Sequence, residues 1–240
     1  MKKALVFTAY DRLRYLQNTL FSWETVRGLD DWHVVFRVEP SDITEHVVDE
    51  FRLFAEKMNL QDYEIIVNST KLGVLLHPFV AFDSLFAEGY DFVARVEDDV
   101  IVSDDILEYF DSMAKSYRDD PKVATVCAFT ETQGYEDAVY TDSYFDPLNW
   151  GTWSDRWEGL IRDTWDWNYS TFNDFFGNEA GWDWNLRSRI IPQNNLVSVF
   201  PVQSRSKHIG VEGTHGTAEN FKEHKTFYED IRPTAYIEVA

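Results

Sequence analysis

The chain has 240 residues, and its 42 acidic residues against 22 basic ones give a formal net charge of −20 at pH 7. That length fits one large domain, and a hydrophobic fraction of 44% excludes wholesale disorder. The excess of negative charge disfavours a nucleic-acid partner, because the electrostatic field of the whole protein repels polyanions. The single cysteine, Cys127, excludes an internal disulfide framework and a multi-cysteine zinc site.

Strands and helices are predicted to alternate through the first half of the chain. Apolar or β-branched runs favour strands, and apolar residues at three- and four-residue spacing favour helices. The predicted order is strand 4–8, helix 12–25, strand 33–38, helix 43–58, strand 64–67, helix 77–87, strand 92–96, helix 106–117 and strand 123–129. This pattern predicts an α/β fold with a mostly parallel sheet flanked by helices, whose ligands bind beyond the carboxyl ends of the strands.

The composition changes after about residue 130, where the chain becomes rich in Tyr, Trp, Asp, Asn and Gly. Seven of the nine tryptophans lie between Trp150 and Trp184, and no linker rich in Pro, Gly or Ser separates the two halves. We therefore expect a single domain with an aromatic-rich second half. No apolar run approaches the ~20 residues that span a bilayer, and segment 1–8 is too short and soon too polar for a signal peptide. A soluble, cytoplasmic protein is expected.

The end of the strand at 92–96 carries the most informative local feature. Three carboxylates, Glu97, Asp98 and Asp99, follow the buried run directly. Adjacent acids repel one another unless they are solvated or share a cation, and their oxygens suit Mg²⁺ or Mn²⁺. Such a cation can bridge the phosphates of a nucleotide. The competing interpretation is an acidic turn before a helix.

Two later motifs have a functional and a structural interpretation. Asp183 lies between Trp182 and Trp184, where partial desolvation favours a general base; equally, the segment could be aromatic core with the carboxylate at the surface. Segments 204–210 and 213–216 combine glycine, hydroxyl and basic residues that could fold over a phosphate. An ordinary surface loop is the alternative there.

In order and spacing, four segments together resemble the GT-A glycosyltransferases. They are Glu97-Asp98-Asp99, Asn149-Trp150-Gly151-Thr152-Trp153, Trp182-Asp183-Trp184-Asn185-Leu186-Arg187, and the run from Ser204-Arg205-Ser206 to His215-Gly216. The chain is most similar to the inverting β-1,2-N-acetylglucosaminyltransferases that act on mannose. The resemblance covers roughly residues 4–225. It implies a GT-A (Rossmann-like) fold with a nucleotide-sugar-binding half at 1–130 and an acceptor-binding, catalytic half at 131–240.

The resemblance also implies roles for single residues. Asp99 would bind Mn²⁺ or Mg²⁺, Asp183 would be the catalytic base, and His208 or His215 could be a further metal ligand. The residues implied to bind the donor are Arg12, Glu39, His77, Glu97, Asp98, Ser204 and Arg205, and those implied to contact the acceptor are Trp150, Trp153 and Trp182. Two positions depart from the family pattern: Glu39 stands where the family has Asp, and the family's Gly-x-Gly-Trp is only partly kept at 150–153.

The implied activity is metal-dependent, inverting sugar transfer from a nucleoside diphosphate sugar, expected to be UDP-linked, to an acceptor hydroxyl. N-acetylglucosamine is the first candidate sugar, and the acceptor would be a glycan, a protein or a small molecule, made in a bacterium or a virus-infected cell. A nucleotidyltransferase of the same fold is disfavoured, because segment 8–14 lacks glycine. A non-catalytic carbohydrate-binding protein and an inactive transferase relative stay open.

Overall fold

The computed structural model describes residues 1–131, 138–168, 171–173 and 178–211. Strands and helices alternate in its first half, as the sequence predicts. In chain order the elements there are β1 (Lys3–Ala9), α1 (Leu13–Trp23), a 3₁₀ turn (Leu29–Asp31), β2 (His33–Val38), α2 (Thr44–Lys57), β3 (Tyr63–Val67), α3 (Gly73–Ala87), β4 (Phe92–Glu97), β5 (Val100–Val102), α4 (Ile106–Ser116) and β6 (Val123–Cys127).

The second half has shorter elements. They are β7 (Val139–Asp142), β8 (Trp150–Trp153), α5 (Ser154–Arg156) with a π turn (Trp157–Ile161) and a 3₁₀ turn (Arg162–Thr164), β9 (Thr171–Asn173), β10 (Asn178–Ala180), α6 (Trp182–Asn185) with a π turn (Leu186–Ile190), α7 (Ile191–Gln193), β11 (Val197–Pro201) and β12 (Ser206–His208). None of the helices in the described part of the chain is long and apolar enough to cross a membrane.

A central sheet organises these elements. Within the described residues it has eight strands in the order β3-β2-β1-β4-β8-β6-β11-β7. The pairs β3-β2, β2-β1, β1-β4 and β6-β11 are parallel, whereas β8 is antiparallel to both neighbours and β7 to β11. Six of the eight strands therefore run in one direction, which confirms the predicted α/β architecture. Two small antiparallel pairs, β9-β10 and β5-β12, lie outside the central sheet.

The sheet is covered on both faces. Successive residues of β1 point to opposite sides, so Leu5 and Phe7 join one apolar cluster while Ala4 and Val6 join the other. The first cluster includes the buried faces of α1, α2 and α4, and the second includes α3 and the tryptophan-rich segments. Burial on both faces explains why the strands read as continuous apolar runs.

Helix α3 begins four residues before the predicted start at residue 77. The buried Glu39 carboxylate accepts the backbone N–H groups of Leu72 and Gly73, both at 2.6 Å. Gly73 has a φ of +77°, which glycine adopts without strain. Inside the helix, Pro78 has no N–H for the Val74 carbonyl, which instead accepts the Trp182 indole N–H at 3.2 Å. The helix is thus fixed to both halves of the chain.

Candidate functional site

The carboxyl ends of β1 and β4 lie side by side and carry the charged cluster. The two strands are parallel neighbours, with Thr8 opposite Glu97. After β1 the chain turns into α1 at Arg12, and after β4 it continues as Asp98 and Asp99. The Arg12 guanidinium forms salt bridges with both carboxylates, at 2.5 Å from Nη1 to Asp99 Oδ2 and through Nη2 to Asp98 Oδ1. The predicted donor-binding arginine and acidic motif therefore meet.

A histidine reaches Asp99 from the far end of the described chain. Strand β12 pairs antiparallel with β5, and this places His208 opposite Val100. The His208 Nε2 atom lies 3.1 Å from Asp99 Oδ2, and the Ile209 N–H donates to the Asp99 carbonyl at 2.9 Å. A Cβ atom at Gly210 would overlap Asp99 Oδ2 and lie 2.7 Å from His208 Nε2. A larger residue at position 210 would therefore have to displace one of these two side chains.

Burial and charge act in opposite directions on the acidic motif. Asp99 is 3% exposed, which disfavours its ionised form, but His208 and Arg12 outweigh burial and hold the pKa of Asp99 below its usual range. Burial lowers the pKa of His208, but Asp99 outweighs it and raises that pKa overall. For Asp98, burial dominates over Arg12 and raises the pKa to about 7. The two adjacent carboxyls thus differ in pKa, and Asp99 is the more readily ionised of the two.

One atom of Asp99 supports the predicted cation site. Its Oδ1 atom is buried and has no hydrogen-bond partner among the described residues, and a bare carboxylate oxygen there suits a cation. Within the described part of the chain, no group of three or more His, Cys, Asp or Glu side chains is arranged to hold a metal. Asp99 and His208 would therefore hold it, with water and phosphate oxygens completing the shell, as Mg²⁺ and Mn²⁺ accept.

Glu97 is fixed by a network that the sequence did not predict. Its carboxylate accepts from Arg95 Nη1 at 2.6 Å, and its backbone N–H donates to Asn149 Oδ1 at 3.1 Å. The Asn149 amide also donates to Ser206 Oγ at 3.1 Å, and Arg95 Nε donates to Thr8 Oγ1 at 3.1 Å. Asn149 is fully buried and has a φ of +58°, which Asn tolerates better than most residues. It links the acidic strand end to β12.

Glu39 and His77 lie together at the carboxyl end of β2 and in the adjacent helix α3. Glu39 is 4% exposed and binds the start of α3, as described above, and His77 Nδ1 lies 4.0 Å from Glu39 Oε1. Burial, with Arg95 and Arg37 nearby, lowers the pKa of His77 to about 3, so the imidazole is neutral. Their roles in donor binding stay predictions.

Ser204 and Arg205 are buried at the turn into β12. The Ser204 hydroxyl donates to the Ser206 carbonyl at 2.8 Å, and Arg205 Nη2 lies 3.3 Å from Asp105 Oδ2. The Arg205 guanidinium also donates to the Gln203 carbonyl at 2.6 Å. These contacts fix the turn, and the predicted contact of both residues with a diphosphate stays a prediction. His215 and the rest of that loop lie outside the described residues.

The predicted acceptor tryptophans build the core. Trp150 and Trp153 are fully buried, and Trp182 is 4% exposed and stacks on Trp165 with centroids 4.8 Å apart. None of the three presents appreciable surface to an acceptor in this structure, so these contacts do not support that prediction. Asp183, on the first turn of α6, is half-buried. The Arg95 guanidinium, 5.8 Å from the Trp182 ring centroid, places this turn near Glu97.

Solved structures share the fold of this chain. GalNAc-T7, in a structure with UDP, GalNAc and Mn²⁺, superposes with a TM-score of 0.57 and 10% identity, covering 95% of this chain and 48% of its own. The TarS 1–349 segment from S. aureus, in complex with UDP-GlcNAc, gives a TM-score of 0.54 and 12% identity, covering 95% of this chain and 65% of its own. The chain has the GT-A fold.

A third solved structure has a similar fold, whereas sequence comparisons find no match. The mannosyltransferase PcManGT from Pyrobaculum calidifontis, in complex with GDP-Man and Mn²⁺, gives a TM-score of 0.50 and 13% identity, covering 77% of this chain and 50% of its own. The match thus spans about half to two thirds of the length of these three proteins. No protein-family model matches the sequence, and no curated protein matches it significantly. The likeness to the β-1,2-N-acetylglucosaminyltransferases stays a prediction.

Proposed function

We propose that the chain is a glycosyltransferase that moves a sugar from a nucleoside diphosphate donor to an acceptor hydroxyl, assisted by Mn²⁺ or Mg²⁺. A UDP-linked donor is favoured by two of the structural neighbours, whose structures contain UDP or UDP-GlcNAc. The observation that carries the proposal is the ionised Asp99 between Arg12 and His208, at the carboxyl ends of parallel strands. Ligands of α/β sheets bind at that edge.

The charges around Asp99 define the donor side of the mechanism. A divalent cation, when bound, would supply positive charge to the diphosphate leaving group. Asp99 and His208 would hold that cation, and the Arg12 guanidinium would bind a phosphate oxygen of the donor. Glu97, fixed by Arg95 and Asn149, is proposed to accept hydrogen bonds from donor hydroxyls. The strongly acidic chain thus accommodates an anionic donor through local cations.

Asp183 is proposed as the base of an inverting displacement. It takes the proton of the acceptor hydroxyl as that oxygen bonds to the anomeric carbon. The bond from the anomeric carbon to the diphosphate oxygen breaks on the opposite face, and the electron pair leaves with the nucleoside diphosphate. A single displacement of this kind inverts the anomeric configuration.

The test is Asp183→Asn in a screen of UDP-GlcNAc, UDP-GalNAc and GDP-mannose with and without Mn²⁺. Release of nucleoside diphosphate should fall about 10²–10⁴-fold, the usual contribution of a general base, while the affinity for UDP stays unchanged. Asp163→Asn is the matched control, because Asp163 is an exposed carboxylate in the same half of the chain. Near wild-type turnover in Asp183→Asn would refute the assignment. Donor binding without turnover by the wild type would instead identify an inactive relative.

A further inference from the structure

A second concave site lies at the carboxyl end of β6, away from the Arg12–Asp99 pair. The cavity has a volume of about 360 Å³ and opens between the segment that follows β6, strand β7 and residues 143–146. We refer to it as the acidic cavity, because its lining includes three carboxylates. Its lining includes Glu131, Tyr140, Asp142, Tyr144, Asp146 and Phe200.

The charge of the acidic cavity determines which ligands it can accept. Glu131, Asp142 and Asp146 line it, and no Lys, Arg or His does so among the described residues. Glu131 and Asp142 are exposed, Asp146 is buried, and the Arg187 guanidinium lies 3.9 Å from the Tyr144 ring centroid. Three carboxylates against this one cation leave a negative balance, which disfavours phosphates, sulfates and carboxylates. A neutral or cationic ligand is therefore favoured over a nucleoside diphosphate.

Asp146 is a buried carboxylate of the cavity wall with a single hydrogen bond among the described residues. It is 5% exposed and accepts the Leu148 N–H at 2.9 Å. It forms no salt bridge within the described chain, and Arg187 attracts it only at longer range. A buried carboxylate without a paired cation is costly unless hydrogen-bond donors reach it. A ligand with several hydroxyl groups provides such donors.

Aromatic rings form the apolar part of the wall. Tyr140 stacks on Phe200 with centroids 5.4 Å apart, and the Tyr144 ring lies 5.8 Å from Phe200. The Tyr144 hydroxyl is buried and has no hydrogen-bond partner among the described residues. Binding sites commonly combine such apolar faces with a few orienting polar groups. A sugar ring, with C–H faces and peripheral hydroxyls, matches this combination.

The acidic cavity is connected to the acidic strand end by short stretches of chain. Asp146 precedes by three residues Asn149, which binds the Glu97 N–H, and Asp146 also interacts electrostatically with Glu97. On the other side, the Thr130 N–H donates to Ser204 Oγ at 3.3 Å, and Thr130 lines the cavity. The acidic cavity and the proposed donor site are therefore built from neighbouring segments of the chain.

We propose that the acidic cavity is the acceptor subsite and that it takes a saccharide without negative charge. This inference rests on the proposed transferase function and adds the chemical class of the acceptor. Neutral and amino sugars fit the carboxylates and rings, whereas uronic acids and sugar phosphates are disfavoured by the buried Asp146 and by Glu131 and Asp142 at the cavity surface.

The test compares binding of methyl β-D-glucoside and its anionic analogue methyl β-D-glucuronide by ligand-observed NMR at pH 8. The wild type should bind the glucoside and not the glucuronide. Tyr144→Phe should weaken glucoside binding about fivefold, the size expected from one neutral hydrogen bond, and Asp146→Asn about tenfold or more, since that bond involves a charged acceptor. Asp49→Asn, at an exposed carboxylate of α2, is the control and should change nothing.

A double variant, Glu131→Gln with Asp142→Asn, tests selectivity separately from affinity. It should retain glucoside binding and gain measurable glucuronide binding, because the repulsion is removed while polar atoms stay in place. The proposal is overturned if the wild type binds both glycosides equally, if it binds neither, or if the cavity variants behave as Asp49→Asn does.

A parallel titration with UDP and Mn²⁺ separates this inference from the proposed function. If glycosides bind in the cavity and UDP does not bind, the transferase proposal fails and the cavity is a saccharide site of a binding protein. If UDP binds and no glycoside does, the acceptor inference alone fails. Tyr144→Phe should leave UDP binding unchanged, since Tyr144 is not part of the Arg12–Asp99 cluster.

Discussion

At the residue scale, the site depends on one carboxylate held by an arginine and a histidine. Arg12 comes from the start of α1 and His208 from the end of β12, and both contact Asp99 Oδ2, while Oδ1 has no hydrogen-bond partner among the described residues. The neighbouring Asp98 has its pKa raised to about 7 mainly by burial. Adjacent acids thus have different charges because their partners differ. This division reduces the repulsion among the three adjacent carboxyls, as the proposed cation site requires.

Gly210→Ala tests the close approach at Asp99. Its Cβ would overlap Asp99 Oδ2 and His208 Nε2, and these atoms are held by Arg12 and by the β5–β12 pair, so they cannot move freely. We expect Mn²⁺-dependent UDP binding to weaken by about tenfold or more, because small displacements in a site have large effects. Calorimetric titration measures it. Gly159→Ala is the matched control, because no atom lies within 4 Å of its added Cβ; equal affinities in the two variants would contradict the geometry.

Asp146 gives a pH-dependent prediction with a defined sign. Burial, opposed by the Leu148 N–H and Arg187, raises the pKa of Asp146 from 3.8 to about 7. A folded-state pKa above the unfolded value means that the folded protein binds the proton more tightly, so stability through this group falls as pH rises from about 4 to about 7. Asp146→Asn removes that loss and still accepts the Leu148 N–H.

The variant should therefore have a higher melting temperature than the wild type at pH 8 and nearly the same one at pH 4. Scanning calorimetry at the two pH values measures the difference, with Asp49→Asn as the control for a general change in net charge. A difference of the same size at both pH values would show that Asp146 is not protonated preferentially in the folded state.

At the element scale, sequence patterns predicted the strands and helices whose formation depends on residues close together in the chain. The strand at 33–38 is found at those residues, and the acidic motif follows β4 as expected. The start of α3 was predicted four residues late, because the Glu39 carboxylate that binds the Leu72 and Gly73 N–H groups lies more than thirty residues away in sequence. Sequence periodicity contains no information about such a contact.

The same reason explains the part of the site that the sequence did not establish. His208 is brought to Asp99 by pairing of β12 with β5, about a hundred residues apart in the chain. The tryptophans were predicted to face an acceptor, yet Trp150 and Trp153 are fully buried. Composition shows where aromatic residues concentrate but not which face of an element they occupy. The acidic cavity was not predicted, since its walls come from three separate segments.

The side chain of Asn149 joins β4 to β12, so its replacement should lower the stability of the fold. Asn149→Gly removes two buried hydrogen bonds but keeps the positive φ accessible, and should lower the free energy of unfolding by about 2 kcal/mol. Asn149→Ala removes the same bonds and adds left-handed strain, so it should cost about 1 kcal/mol more. Urea denaturation of both variants measures the two contributions. Equal stabilities would show that the backbone conformation at this position carries no strain.

At the scale of the whole molecule, the net charge of −20 has a more specific meaning than solubility. Two groups of carboxylates on one edge of the sheet differ in the cationic side chains that lie beside them. At Asp99 they are matched by Arg12 and His208, so an anionic diphosphate with a cation is acceptable there. In the acidic cavity they are unmatched by any lining cation among the described residues. On this basis we propose that one site takes an anionic donor and the other a ligand without negative charge.

We propose above all that Asp99 anchors a cation-dependent nucleotide site. Calorimetric titration of UDP into the protein with Mn²⁺, and again with chelator, tests it most directly in the wild type, Asp99→Asn and the surface control Asp49→Asn. We expect binding with Mn²⁺ in the wild type and the control, loss of that binding in Asp99→Asn, and little binding with chelator. Unchanged UDP affinity in Asp99→Asn, or binding that is indifferent to Mn²⁺, would contradict it.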